Sequence, residues 1–173
     1  GASLFDDPIE DANIIYTIYR PGQGETVPLT FDPSIMTGED GTYYLNSNHI
    51  TLLKNELNQG LNDNGNDLLY LVTASGGRNI YSETPNNLVF SNIGYYEDDK
   101  SDENYILNLS PITTIITDFI QDTIDEKVLN QTISRTDIEG YKEVAKNRLV
   151  ELTSIPREDL EKDFYQENDK NGI

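Results

Sequence analysis

A fifteen-residue stretch, Asn108 to Asp122 (NLSPITTIITDFIQD), separates two kinds of local pattern in this chain. Upstream lie short alternating apolar runs broken by turn residues, which is how strands read; downstream the apolar spacing becomes that of helices. Ser110 followed by Pro111 is a helix start: a hydroxyl free to accept backbone N–H groups, then a ring whose fixed φ suits the first turn. Ile112, Ile115, Ile116, Phe119 and Ile120 recur at i, i+3, i+4, i+7 and i+8, which predicts one apolar stripe laid on the preceding sheet. Pro111 is therefore read as the hinge between a β part and an α part of one domain, and the fold class as α+β.

At 173 residues the chain can bury a full core as a single domain. It carries 31 acidic and 12 basic side chains, a formal charge of −19. Binding phosphates needs clustered Lys and Arg, so neither nucleic acid nor an anionic membrane surface is an expected partner. Such an excess of carboxylate suits surroundings rich in salt or divalent cations, with plain solubility as the competing explanation. The absence of cysteine excludes disulfides, zinc–thiolate sites and thiol catalysis. No run approaches the roughly 20 apolar residues of a membrane span, so direct membrane insertion is not expected. The Gly1-Ala2-Ser3 start has no signal-peptide pattern and reads as an added leader on a piece of a longer protein.

Along the β part, Asn13 to Arg20 (NIIYTIYR) is the first strand, apolar on both faces as if covered on both sides. Val27 to Phe31 is an edge strand weakened by Pro28. Asp40-Gly41 followed by the aromatic run to Leu45 predicts a hairpin. Asn48 to Leu61 reads as a short helix or a long connection ending near Gly60, before a polar loop at Leu61 to Asp67. Leu68 to Ala74 is the most apolar strand, broken by Ser75-Gly76-Gly77, and further strands follow at Asn87 to Ile93 and Asn104 to Ser110. In the α part, Ile138, Tyr141, Val144, Ala145, Leu149 and Leu152 form a second stripe, with Thr136 or Asp137 placed to cap it. Pro156 opens a third helical turn anchored by Leu160 and Phe164.

The order of these pieces resembles the repeat and ligand-binding modules of large secreted bacterial surface proteins and adhesins. In those, a transthyretin-like or carboxypeptidase-regulatory-like β-sandwich is followed by a helical extension opened by an S-P-L-T-T-L-V-type segment. Here Pro8-Ile9-Glu10-Asp11-Ala12-Asn13-Ile14 stands for the opening motif, with Asp11 where glycine is usual. Gly38-Glu39-Asp40-Gly41-Thr42-Tyr43 stands for the D-x-D-G-x-Y turn, and Ser110-Pro111-Ile112-Thr113-Thr114-Ile115-Ile116 for the extension. The resemblance implies an antiparallel sandwich of about seven strands over residues 4–110, a helical extension packed on it over 111–166, and a linker over 167–173. It also implies a non-enzymatic module, secreted or held at the bacterial cell surface, that binds a cell-surface or matrix glycan or protein, or spaces neighbouring modules of the same chain. Calcium is a possible cofactor of such modules. An accessory carbohydrate-binding domain of a secreted enzyme is the alternative, and a small hydrolase with paired carboxylates a third reading.

Candidate site residues come from composition rather than from a motif. Hard cations take oxygen ligands, which makes two loops candidates for calcium: Asp63, Asn64 and Asp67 in the Asn/Gly-rich one, and Asp98, Asp99 and Asp102 in the acidic one. Neither has the register of an EF-hand, and a solvated loop or ordinary turn is the commoner reading of each. Tyr95 and Tyr96, beside the acidic loop, are the candidate ligand contacts, since a tyrosine ring is rigid, apolar and keeps one polar handle. His49, the only histidine, reads as an ordinary loop or surface residue, and Ser75-Gly76-Gly77-Arg78 as a strand-end turn rather than a phosphate loop.

Overall fold

The computed structural model describes residues 8–20, 25–64, 69–95, 101–127 and 135–160. In chain order the elements are β1 (Ile9–Glu10), β2 (Asn13–Arg20), β3 (Glu25–Pro28), β4 (Ile35–Met36), α1 (Ser47–Asn64), β5 (Leu69–Ser75), β6 (Arg78–Asn79), β7 (Phe90–Tyr95), α2 (Pro111–Lys127) and α3 (Arg135–Thr153). Single 3-10 turns lie at Asp102–Tyr105 and Arg157–Asp159. The main sheet runs β3-β2-β5-β7, with β4 also paired to β2, and β1 and β6 form a separate two-stranded ribbon. Every pairing is antiparallel, so the fold is α+β.

Strand alternation divides the core into two. Ile14, Tyr16 and Ile18 of β2 lie opposite Ala74, Val72 and Tyr70 of β5 and project to one face of the sheet. There they meet Ile50, Leu53 and Leu57 of α1 together with Phe31, Tyr43 and Tyr105 from loops. Tyr19 and Leu69, register partners, project to the other face and join Ile93 of β7 beneath α2 and α3. The double-sided apolar pattern of NIIYTIYR is the signature of this arrangement. Each fully buried isoleucine or leucine contributes about 2 kcal/mol through apolar area removed from water.

Two glycines explain how the strands turn and fit. Gly77 has φ 76° between β5 and β6, and a Cβ there would run into the backbone of Glu10 and Ala12 in the adjoining ribbon. Gly94 faces Tyr70 across the β5–β7 pair, and the tyrosine ring occupies the space its missing side chain leaves.

Several expectations need correction. The Tyr16 face of the sheet is covered by α1 and by the segments holding Phe31, Tyr43 and Tyr105. After Asp40-Gly41 the chain forms a turn, with Gly38 N–H donating to Thr42 O at 2.8 Å, but no hairpin strand follows: Tyr43 dives into the core and Tyr44 is 73% exposed. The helix through Leu53 and Leu57 continues past Gly60 to Asn64, so Leu61 to Asn64 are helical rather than part of a loop. Asn104 to Ser110 is not a strand; it holds the 3-10 turn, irregular backbone and one isolated bridge from Ser110 to Ser91. The buried stripe of α2 is Ile112, Ile116, Ile120 and Ile124, rotated from the expected one so that Ile115 is 50% exposed. In α3, Val144 and Leu152 are exposed, and Thr136 and Asp137 lie inside the first turn rather than at the cap. Leu160 is a buried anchor; Phe164 lies outside the described residues.

Candidate functional site

The Ser-Pro-Ile-Thr-Thr segment is a structural latch. Thr113 N–H donates to Ser110 Oγ at 3.1 Å, and Ser110 N–H donates to Thr113 Oγ1 at 2.8 Å, a reciprocal cap on the N-terminus of α2. Pro111 occupies the first helical position, where no N–H is needed. Thr114 Oγ1 donates to Ser110 O at 2.7 Å and accepts the outward-facing Ser91 N–H of β7 at 2.9 Å. Farther along β7, Ile93 O accepts Lys142 Nζ at 2.8 Å and Ile93 N–H donates to Asn92 Oδ1. The outer edge of β7 is thus sealed by side chains, a standard defence against pairing with another chain.

The opposite face holds a closed tyrosine network. Tyr16 Oη donates to Tyr105 O at 2.7 Å and lies 3.4 Å from Tyr43 Oη. Tyr43 Oη donates to Leu107 O at 2.8 Å and accepts Leu107 N–H at 2.9 Å, so one side chain does for that backbone what a neighbouring strand would do. Tyr16 stacks on Tyr70, whose ring tilts against Tyr105, each with centroids 5.8 Å apart. Burial pushes the Tyr43 hydroxyl up to about 12 and raises Tyr16 and Tyr70 still further above the usual tyrosine value, because a phenolate there would lose its hydration.

His49 is a buried residue of α1, not a surface one. Its backbone N–H donates to Asn46 Oδ1 at 2.9 Å, while its Nδ1 accepts the Asn46 N–H at 3.3 Å. Its Nε2 then carries the proton and donates to Pro33 O at 2.8 Å, and the ring meets Phe31 edge-on. Histidine here plays the part that Glu or Gln takes in a capping box.

Of the residues proposed from sequence, Asp63 and Asn64 fall in the last turn of α1, with side chains outside those described. Asp67, Tyr96, Asp98 and Asp99 lie outside the described residues altogether. Asp102 opens the 3-10 turn, and its Oδ1 accepts Lys54 Nζ at 2.6 Å, tying the end of the acidic loop to α1. Tyr95 is half-buried and its hydroxyl donates to Glu139 Oε1 at 2.8 Å, which commits that group to α3. Among the described residues, no group of three or more His, Cys, Asp or Glu side chains is arranged to hold a metal ion. The exposed rings are elsewhere: Tyr44, 73% exposed, and Tyr81, 61% exposed. Asp40 braces the turn before Tyr44, accepting the Thr42 hydroxyl at 2.6 Å and its N–H at 3.0 Å, and that hydroxyl bond holds its carboxyl below the usual range.

Two hollows stand out. A void of about 20 Å³, room for one water, lies in the core beneath Thr37 and Tyr43. A groove of about 550 Å³ runs between α2 and α3 over Phe119 and Tyr141. Reasoning from sequence passed over that groove; Gly140, a glycine in mid-helix, was the available signal. No known protein family matches the chain, and neither a curated protein nor a solved structure matches it.

Proposed function

We propose that the chain is a non-enzymatic binding or spacing module of a secreted or surface-held bacterial protein, with calcium as its candidate stabilising ion, a glycan or protein as its ligand and other modules of the same chain as neighbours. The observation that carries this reading is where the perturbed groups lie. Active sites gather strongly shifted titratable side chains in a cleft. Here Tyr16, Tyr43 and Tyr70 are shifted chiefly because they are buried in the core, which suits a rigid scaffold. The left-handed φ of 56° at Asp11 supports the likeness to adhesin modules, since it is the conformation for which glycine is usual at that place in the motif. A transthyretin- or Ig-like sandwich origin is part of the same proposal, with α1 standing in for strands of the second sheet.

The accessory carbohydrate-binding reading draws on one feature, the outward rings of Tyr44 and Tyr81, which suit stacking against sugars. Thermal melting in a chelator and again in millimolar calcium tests the ion-stabilised form of the proposal. A ligand of the native state raises the midpoint by mass action, so a rise of several degrees that magnesium does not reproduce is expected. Superimposable curves would remove calcium from the account. Turnover of a polysaccharide, abolished by changing a single carboxylate, would overturn the non-enzymatic reading as a whole.

A further inference from the structure

The α2–α3 groove is of a size that suits a small organic ligand, such sites spanning roughly 300–1,000 Å³. Its floor is apolar: Phe119 and Tyr141 are partly buried against the helical core, and Val144 is half exposed beside them. Gly140 opens the middle. Glycine inside a helix costs about 1 kcal/mol relative to alanine, yet a Cβ built at Gly140 meets nothing within 4 Å. No packed neighbour among the described residues requires its absence; what lies above it is the groove.

The decisive group is Arg148. Its guanidinium stands 5.7 Å from the Phe119 ring centroid on the groove wall. The other cations with described side chains are all engaged with oxygens: Lys54 with Asp102, Arg78 with Glu10, Lys142 with Ile93 O, and Lys146 and Arg157 with Glu143. In a chain with 31 acidic and 12 basic residues, Arg148 alone among the described cations has a ring contact and no oxygen partner. A guanidinium fixed over an aromatic face, its planar fork of donors unspent, is built to take a carboxylate.

We infer that the α2–α3 groove binds a small amphipathic carboxylic acid, its carboxylate on Arg148 and its apolar body over Phe119, Tyr141 and Val144. Asp137 also lines the groove, but it lies eleven residues earlier on α3, about 16 Å along the helix axis at 1.5 Å per residue. The net charge of −19 opposes any anion at long range, which leaves the apolar body to supply most of the affinity and the arginine to supply the choice of head group. This inference does not depend on where the protein resides.

The test is a titration of isotope-labelled protein with phenylbutyrate, followed by amide shifts, with the neutral phenylbutyramide as control. Shifts centred on Phe119, Gly140, Tyr141 and Arg148 are expected, with the amide binding about tenfold more weakly, a loss of about 1.4 kcal/mol. Arg148→Gln should weaken the acid to the level of the amide while leaving the thermal midpoint unchanged, and Gly140→Leu should block both by filling the groove. Equal binding of acid and amide, shifts centred elsewhere, or no shifts at millimolar ligand would each overturn the inference.

Discussion

The two faces of the main sheet solve the same burial problem in different ways. Beneath α2 and α3 the packing is mainly aliphatic, built on Ile93, Ile112, Ile116, Ile120, Ile124 and Ile138. The Tyr16 face adds Tyr16, Tyr43, Tyr70 and Tyr105 to its aliphatic side chains, and part of its cover is irregular backbone from Tyr105 to Leu109. A buried peptide group must find a hydrogen-bond partner. Over isoleucines a helix, which satisfies its own backbone, lies down without side-chain help. Over tyrosines an irregular segment can be buried, because Tyr16 and Tyr43 hydroxyls bond Tyr105 O, Leu107 O and Leu107 N–H. The aliphatic face is therefore held by volume, and the tyrosine face by hydroxyls.

That contrast predicts opposite sensitivities. Ile120→Ala, at a fully buried site in the aliphatic core, should lower the unfolding free energy in urea by about 4 kcal/mol, as transfer and cavity terms add. Gly94→Ala should cost about 3 kcal/mol by overpacking against the Tyr70 ring, and shortening that ring in a Gly94→Ala/Tyr70→Leu pair should recover part of the loss. On the tyrosine face, removing one oxygen with no change of volume should suffice: Tyr43→Phe strands both polar groups of Leu107 and should cost about 2 kcal/mol. On the aliphatic face the sign reverses. Thr117 is fully buried in α2 with no hydrogen-bond partner among the described residues, so Thr117→Val should stabilise the protein by roughly 1 kcal/mol. A destabilising Thr117→Val together with a neutral Tyr43→Phe would erase the distinction.

The aliphatic face was largely legible in advance, and the tyrosine face was not, for the same physical reason. Volume and periodicity are written in apolar spacing, which placed β2, β5 and the capped start of α2. Hydrogen bonds from Tyr43 to Leu107, 64 residues apart, leave no local trace, so Asn104 to Ser110 looked like a strand when a side chain was supplying the pairing. The two-residue strands β1, β4 and β6 are too short to show alternation. His49 resembled a surface residue because its partners, Asn46 and Pro33, define a cap that only the folded loop creates. Among site residues, Asp102 was sensed as acidic, but its pairing with Lys54 across 48 positions was beyond any local pattern. Arg148 became conspicuous only once every other described cation had found its oxygen.

Alkaline titration of the tyrosines tests the central claim most directly. For Tyr43 the folded value is raised from 10.0 to about 12 by burial, and Tyr16 and Tyr70 shift in the same direction. A raised value means that stability is fully present below pH 10, where both states are protonated, and is lost as pH climbs through about 12, at roughly 1.4 kcal/mol per pH unit for each such group. Phenolate absorbance and circular dichroism should be followed together on the intact chain with its 11 tyrosines. The structure predicts that the buried set, Tyr16, Tyr43 and Tyr70, ionises only as the dichroism collapses. All tyrosines ionising near pH 10 with the fold intact would contradict a sealed network and return these rings to the list of reactive groups.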